Sequence, residues 1–168
     1  MEVADQVGLG LALSDETRSA MFLLQALQLA RKSSATPDRA LALSTLAALD
    51  AAQGAFDRAR TRLAVLPPYE DPKVRAIVLL RRAVVDLQEL RFRSALSLVE
   101  KANVLSVRTD HDVGEASLRL MFELISFFWL GRLSESERRQ QQVLSEHHSR
   151  MMRLICHIAV PSPAVLRI

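Results

Sequence analysis

The chain has 168 residues, of which 49% are hydrophobic and 5% aromatic, and it carries a formal net charge of +3. Leu and Ala dominate, which favours helices over strands, and so weak a positive charge is poor evidence for binding to nucleic acid. The single cysteine excludes an intramolecular disulfide. The most apolar stretch, Leu118 to Leu130, contains Arg119 and Glu123 and is too short to span a bilayer, so we expect a soluble, cytoplasmic protein without a membrane partner.

Helix signals follow one another along the chain. The predicted helices cover residues 17–32, 38–53, 56–66, 72–88, 92–106, 113–130 and 133–148, and the tail from Ser149 adds a further helix up to Pro161. Gly54, Pro67-Pro68 and Asp71-Pro72 mark the clearest boundaries, because glycine ends helices while proline stops them or begins them. The sequence shows no sustained alternation of apolar and polar residues, the pattern that indicates strands. Short turns between the helices force neighbours to run antiparallel.

An inward-facing pattern recurs in the helices. One copy comprises Phe56, Ala59, Leu63 and Leu66, and another, 36 residues later, comprises Phe92, Ala95, Val99 and Ala102. The first predicted helix carries the same spacing in Thr17, Ala20, Leu24 and Leu27. The helices before the two copies agree, with Leu43, Leu46 and Ala47 in one and Leu79 and Ala83 in the next. A small residue at a crossing lets two helix axes approach closely.

This pattern resembles the tetratricopeptide repeat, most closely over residues 43–63. The resemblance implies an all-α fold in which antiparallel helical hairpins stack as a short α-solenoid within a single domain, 1–168. It implies good repeats at 38–71 and 72–106, a partial repeat at 14–37, a degenerate repeat at 113–148 and a C-terminal capping or packing segment at 149–168. The alternative is an ordinary helical bundle with coincidental spacing.

The chain departs from the family pattern at several positions. Asp50 and Asp86 stand at the usual aromatic position, and Leu90 replaces Gly. The degenerate repeat has Ser136 in place of the small Ala and Gln140 in place of an apolar residue. A looser resemblance, over residues 26–31 and 43–60, connects the chain with repeat arrays of large bacterial transcription regulators of the LuxR type and related ATPase regulators.

In the tetratricopeptide family the first helix of each pair lines a concave groove. The resemblance places in this groove Leu41, Ser44, Ala48, Ala51, Ala52, Ile77, Leu80, Val84, Leu87, Gln88, Leu118, Met121, Ile125, Phe128 and Trp129. The predicted groove is strongly apolar, and a large apolar patch marks a binding site or further packing. We expect an amphipathic segment of a protein partner to cover it. The alternatives are the chain's own tail, Met151 to Ile168, or a second copy.

The sequence predicts no catalytic residues, no cofactor and no metal site. Cys156-His157 lacks a third group, and helical neighbours point about 100° apart, which favours a lone buried thiol. Arginines cluster at Arg58, Arg60, Arg62, Arg81, Arg82, Arg91 and Arg93. The acidic residues Asp57, Asp86 and Glu89 lie among them, which favours mixed solvated faces over a phosphate-binding stripe.

These patterns together predict a non-enzymatic protein-interaction module or scaffold, such as the sensor or interaction part of a bacterial regulator of transcription. One alternative is a homo-oligomeric structural subunit or fragment whose own tail fills the groove. Another is a helical nucleic-acid-binding protein that uses the arginine clusters.

Overall fold

A computed structural model describes residues 36–106, 113–146 and 155–156, together with Met21, Leu24, Gln25, Gln28 and Leu29. Ranges 36–106 and 113–146 form six helices and no strand: α1 (Thr36–Ala52), α2 (Phe56–Ala64), α3 (Pro72–Gln88), α4 (Phe92–Ser106), α5 (Val113–Trp129) and α6 (Leu133–Glu146). The predicted all-α class is confirmed. Among the described residues, no helix combines the length and the apolar character needed to cross a bilayer.

The helix boundaries follow local sequence signals. Asp71 is the N-cap of α3, and its side chain accepts a hydrogen bond of 2.8 Å from the backbone N–H of Lys73, with Pro72 in the first helical position. The helix predicted at 38–53 begins two residues earlier in the structure, with Thr36 and Pro37. Both belong to the first turn of α1, where proline is tolerated because its missing N–H has no intrahelical partner. The predicted helices at 17–32 and 149–161 lie mostly outside the described residues.

A tight turn of the Schellman type joins α1 to α2. Gly54 has a φ of 75°. Its N–H donates to the carbonyl of Ala51 at 2.9 Å, and the N–H of Ala55 donates to the carbonyl of Asp50 at 2.8 Å. These two bonds satisfy carbonyls at the helix end that would otherwise lack partners. Since only three residues separate the helices, α1 and α2 run antiparallel.

The same turn recurs at the ends of α3 and α5. Leu90 (φ 61°) and Gly131 (φ 70°) take the place of Gly54. The following residues, Arg91 and Arg132, donate to carbonyls five positions earlier at 2.8 and 2.9 Å. The helices are therefore joined as three hairpins, α1–α2, α3–α4 and α5–α6, with one shared turn geometry.

The turn at Leu90 gives a first prediction. A left-handed conformation costs a non-glycine residue roughly 1–2 kcal/mol, whereas glycine loses about 0.5–1 kcal/mol through the entropy of the unfolded chain. Leu90 is 72% exposed, so its side chain contributes little packing. We expect Leu90→Gly to raise the free energy of unfolding by about 0.5–1 kcal/mol in urea denaturation.

Gly131→Ala is the matched reverse substitution. A Cβ added at Gly131 meets no atom within 4 Å, so the cost is backbone strain alone, about 1 kcal/mol. Loss of stability in Leu90→Gly would contradict the strain assigned to this turn.

Two buried clusters connect neighbouring hairpins, and a third lies between α5, α6 and residues 155–156. Helix α3 contacts α1, α2, α4 and α5. The first cluster contains Ala40, Ala47, Ala51, Ala59, Leu63, Leu66, Val74, Val78 and Val85. The second cluster contains Leu80, Ala83, Ala95, Val99 and Phe122. The third cluster contains Leu120, Leu124, Val143 and Cys156. The core thus continues from one hairpin to the next, with α3 at its centre.

The inward-facing pattern predicted from the sequence is confirmed in α2 and α4. Ala59 and Ala95 are fully buried, and Ser136 is 1% exposed at the matching position of the third hairpin. In the first predicted helix, Leu24 is 52% exposed, so its predicted inward position is wrong. The described core begins only at Ala40. Thr17, Ala20 and Leu27 lie outside the described residues.

Candidate interaction surface

The predicted groove residues divide into three groups in the structure. Nine are half-buried: Leu41, Ala48, Ile77, Val84, Leu87, Leu118, Met121, Ile125 and Phe128. Ser44, Ala51 and Leu80 are buried, while Ala52, Gln88 and Trp129 are exposed. The first helices of the hairpins therefore carry partly accessible apolar side chains, but not every predicted position can reach a partner.

Ser44, Ala51 and Leu80 are corrections to the predicted groove. Leu80 is 2% exposed and lies in the second cluster, because α3 is surrounded by four other helices and has little free surface. Ala51 belongs to the first cluster. Ser44 is fully buried, and its hydroxyl donates to the carbonyl of Leu41 at 2.9 Å. That bond satisfies the hydroxyl within α1, so its burial carries no penalty for an unpaired polar group.

Five half-buried members also take part in packing between the helices. Val84, Leu87, Leu118 and Met121 pack against the second cluster. Phe128 packs against the third cluster, beside Ile155 and Cys156 of the tail. Much of the predicted groove thus serves contact between hairpins. Leu41, Ala48, Ile77 and Ile125 are the half-buried members outside these clusters.

Trp129, at the end of α5, is the largest exposed aromatic side chain in the described part of the chain. It is 63% exposed. Its ring stacks on Phe92 of α4, with 5.5 Å between centroids and 10° between planes, and meets the edge of Phe128 at 5.7 Å. The stack ties the second hairpin to the third and leaves an accessible aromatic face. Sequence reasoning placed Trp129 in the groove, but its pairing with Phe92 depends on the packing of the helices.

Two buried aspartates near the ends of α1 and α3, Asp50 and Asp86, are bound by arginines that follow in the same hairpin. Asp50 is 7% exposed. Its two carboxylate oxygens accept hydrogen bonds from the Nε atoms of Arg58 at 2.8 Å and Arg62 at 2.5 Å. Burying a carboxylate without such partners would cost free energy. Asp50 therefore forms ion pairs inside the first hairpin.

Asp86 repeats this arrangement one hairpin later. One of its oxygens accepts from Arg91 and the other from Ser94, both at 2.5 Å. In the third hairpin Phe127 holds the equivalent position, and the guanidinium of Arg132 lies 4.9 Å from its ring centroid. An arginine therefore contacts this position in each hairpin, through a carboxylate in two and a ring face in the third.

Further arginine contacts join the first and second hairpins. Arg60 of α2 pairs with Glu89, which also lies 2.8 Å from Arg91. The hydrogen bond with Glu89 raises the pKa of Arg60 above its ordinary value. Arg82 donates to the carbonyl of Leu63 at 3.2 Å. Arg60 is exposed, as predicted, and both Arg60 and Arg82 also contact the neighbouring hairpin.

The prediction of a solvated face is wrong for Arg81. Arg81 is 6% exposed, since α3 has neighbours on most of its sides. Its position shows that a charged residue in a cluster of arginines need not face solvent when its helix is central.

Cys156 is buried, as predicted, in the third cluster. Burial raises the pKa of its thiol above the ordinary value of 9.0, although the charge of Arg139 opposes the shift. The folded state therefore favours the neutral thiol. The stability contributed by that preference is present below the unfolded pKa and is lost as the pH rises through the folded pKa.

We expect Ellman's reagent to label Cys156 at least about tenfold more slowly in the native protein than in denaturant at the same pH, because the thiolate is both scarce and covered. The chain has one cysteine, so the signal is unambiguous. Equal rates would show that Cys156 is accessible and does not belong to the core.

Among the described residues, no group of three or more His, Cys, Asp or Glu side chains is placed to hold a metal ion. His157, adjacent to Cys156, lies outside them.

Searches for similar proteins found no matching family model, no matching curated protein and no matching solved structure.

Proposed function

We propose that this chain is a non-enzymatic, cytoplasmic protein-interaction module with the architecture of a short tetratricopeptide-like α-solenoid. The repeated turn at Gly54, Leu90 and Gly131 supports this architecture. So do the small buried residues that recur at equivalent positions of the second helices, such as Ala59 and Ala95. In this proposal the module forms the sensor or scaffold part of a bacterial regulator.

The observation that carries the proposal is the accessible apolar surface of the first helices. Leu41, Ile77 and Ile125 are half-buried outside the clusters between hairpins. At the end of α5, Trp129 exposes most of a ring that Phe92 holds in a fixed orientation. A rigid exposed aromatic residue with apolar neighbours is typical of a hot spot for binding. An amphipathic helix of a protein partner would supply the complementary apolar face.

The test combines crosslinking with paired variants. Ile77→Asp places a charge on the proposed surface, and Val104→Asp places the same charge on α4, where Val104 is 68% exposed. Proteins crosslinked to the wild-type chain are identified by mass spectrometry, then purified and titrated against each variant. We expect Ile77→Asp and Trp129→Ala to weaken binding at least about tenfold, and Val104→Asp to leave it unchanged.

Two results would reject the proposal. One is a survey that recovers only the chain itself. The other is a partner whose affinity falls equally in Ile77→Asp and Val104→Asp, because that partner would not distinguish the first helices from the rest of the surface. Circular dichroism of each variant establishes that the fold is retained.

The alternative in which the tail covers the groove rests on one observation. Ile155 packs against the third cluster together with Phe128, a predicted groove residue, so part of the tail lies beside the third hairpin. As a homo-oligomeric subunit, the chain would exchange this contact between copies. Light scattering that shows a monomer over a range of concentrations would exclude that version.

A further inference from the structure

The buried residues of α1 lie on two opposite sides of the helix. One side belongs to the first cluster, which α1 shares with α2 and α3, and it contains Ala40, Ala47 and Ala51. Ala42 and Leu46 form a separate cluster, against which Leu49 packs. With 3.6 residues per turn, this second set lies about 150° around the helix from the first. It forms the outer face of α1.

The outer face is covered, since Ala42 is 6% and Leu46 is 9% exposed. Among the described residues, none of α2–α6 belongs to its cluster, and the helices that contact α1 extensively, α2 and α3, pack on the opposite side. Residues 107–112 join α4 to α5, and Ile155 and Cys156 pack in the third hairpin. The segment that directly precedes α1 is therefore the part of the chain best placed to cover this face.

One side of the preceding segment is exposed. Its described residues are helical, and all are exposed: Met21, Leu24, Gln25, Gln28 and Leu29. Spacings of three and four residues place them on one side of a helix. The opposite side of the same helical period carries Leu23, Ala26, Leu27 and Ala30. That side offers an apolar stripe, which is the surface that a helix buries against a neighbour.

The register of the two helices agrees with this contact. Only residues 33–35 separate the predicted helix from α1, and so short a link makes the helix return antiparallel along α1. Residues at equal distances from the link then lie side by side, which places Ala26 opposite Ala42 and Leu23 opposite Leu46. Two facing alanines let the helix axes approach closely, and the larger leucines fill the adjacent space.

We propose that residues 17–32 form a helix that packs antiparallel on the outer face of α1, with Ala26 and Leu23 facing inward. The stack thereby gains one helix before the first hairpin, and its end is the exposed side that contains Leu24. The tetratricopeptide pattern placed Leu24 inward, so the packing side differs from the one that the resemblance implies. This packing is independent of the proposed function, since it involves no partner protein.

Disulfide trapping in the whole chain tests the contact. Ala26→Cys and Ala42→Cys are combined in a Cys156→Ala background, and the matched control combines Gln25→Cys with Ala42→Cys. We expect the first pair to form an intramolecular disulfide at least about tenfold faster, because a disulfide requires Cα atoms within about 7 Å and Gln25 lies on the exposed side. Mass spectrometry of proteolytic peptides measures both rates.

Two results of this experiment would overturn the packing. Equal rates in the two pairs would mean that residues 17–32 have no fixed side toward α1. A disulfide that joins two copies of the chain would mean that a second copy, rather than the chain's own segment, covers the outer face.

Aspartate substitutions at neighbouring leucines test which side faces inward. Leu23→Asp should lower the midpoint of urea denaturation by about 0.5 M or more, because the charge would be buried against Leu46. Leu24→Asp makes the same change at a residue that is 52% exposed and should shift the midpoint by less than about 0.2 M. Equal shifts would contradict the assigned side, since both variants alter helix propensity alike.

Discussion

Replacing Ala59 with Leu is expected to destabilise the protein by roughly 1–3 kcal/mol. Ala59 is fully buried in the first cluster, where α1, α2 and α3 meet. Its single methyl group lets the axes of α1 and α2 approach, and a larger side chain must displace the facing helix or adopt a strained rotamer. Urea denaturation followed by circular dichroism measures the change in the free energy of unfolding.

Ala64→Leu is the control for this prediction. Ala64 lies on the same helix but is exposed, so the same increase in volume should change stability by no more than about 0.5 kcal/mol. Comparable losses in both variants would mean that helix propensity or solubility, rather than a tight crossing, determines the effect. The small residue at the matching position of the next hairpin, Ala95, should respond as Ala59 does.

Helix positions and inward faces could be predicted from the sequence because both depend on local chemistry. Asp71 and Pro72 specify the start of α3 through a side-chain cap and a fixed φ. The buried faces of α2 and α4 follow from the spacing of apolar residues, which is set by the helical period. These signals do not require knowledge of which helices are neighbours.

The division of the predicted groove into buried and accessible positions depends on neighbours and could not be read from the sequence. Leu80 and Ile77 have similar chemistry, yet Leu80 is buried in the second cluster while Ile77 is half-buried. The difference arises because Leu80 packs with residues of α4 and α5 in the second cluster, whereas Ile77 belongs to no cluster. Four helices pack against α3, and even its charged residue Arg81 is covered. The sequence pattern alone therefore overestimated the area of the groove that is available to a partner.

The arginine contacts between hairpins were also beyond sequence reasoning. Arg60 and Glu89 are distant in sequence and meet only through the packing of α2 against α3. The turn at Leu90 departs from the local preference for glycine, since a leucine there adopts the backbone geometry of Gly54. Helix packing on both sides of that turn outweighs a local preference of about 1–2 kcal/mol.

Truncating Leu124 is expected to have the largest effect in the third hairpin. Leu124 is fully buried between α5 and α6, in the cluster that includes Val143 and Cys156. Leu124→Ala removes apolar contacts and leaves a cavity, which costs about 2–5 kcal/mol of the free energy of unfolding. Because Cys156 shares the cluster, its labelling by Ellman's reagent should accelerate in the same variant.

The free energy of unfolding and the labelling rate of Cys156 together distinguish a local loss of packing from a loss that affects the whole third cluster. Leu144→Ala, on α6 at 38% exposure, makes the same chemical change and should cost less than about 1 kcal/mol with little change in the labelling rate. If Leu124→Ala lowers stability while Cys156 stays protected, the tail does not depend on the core of the third hairpin. Joint changes would instead establish that residues 155–156 and the third hairpin form one cooperative unit, because a cavity in a shared cluster weakens every element that packs on it.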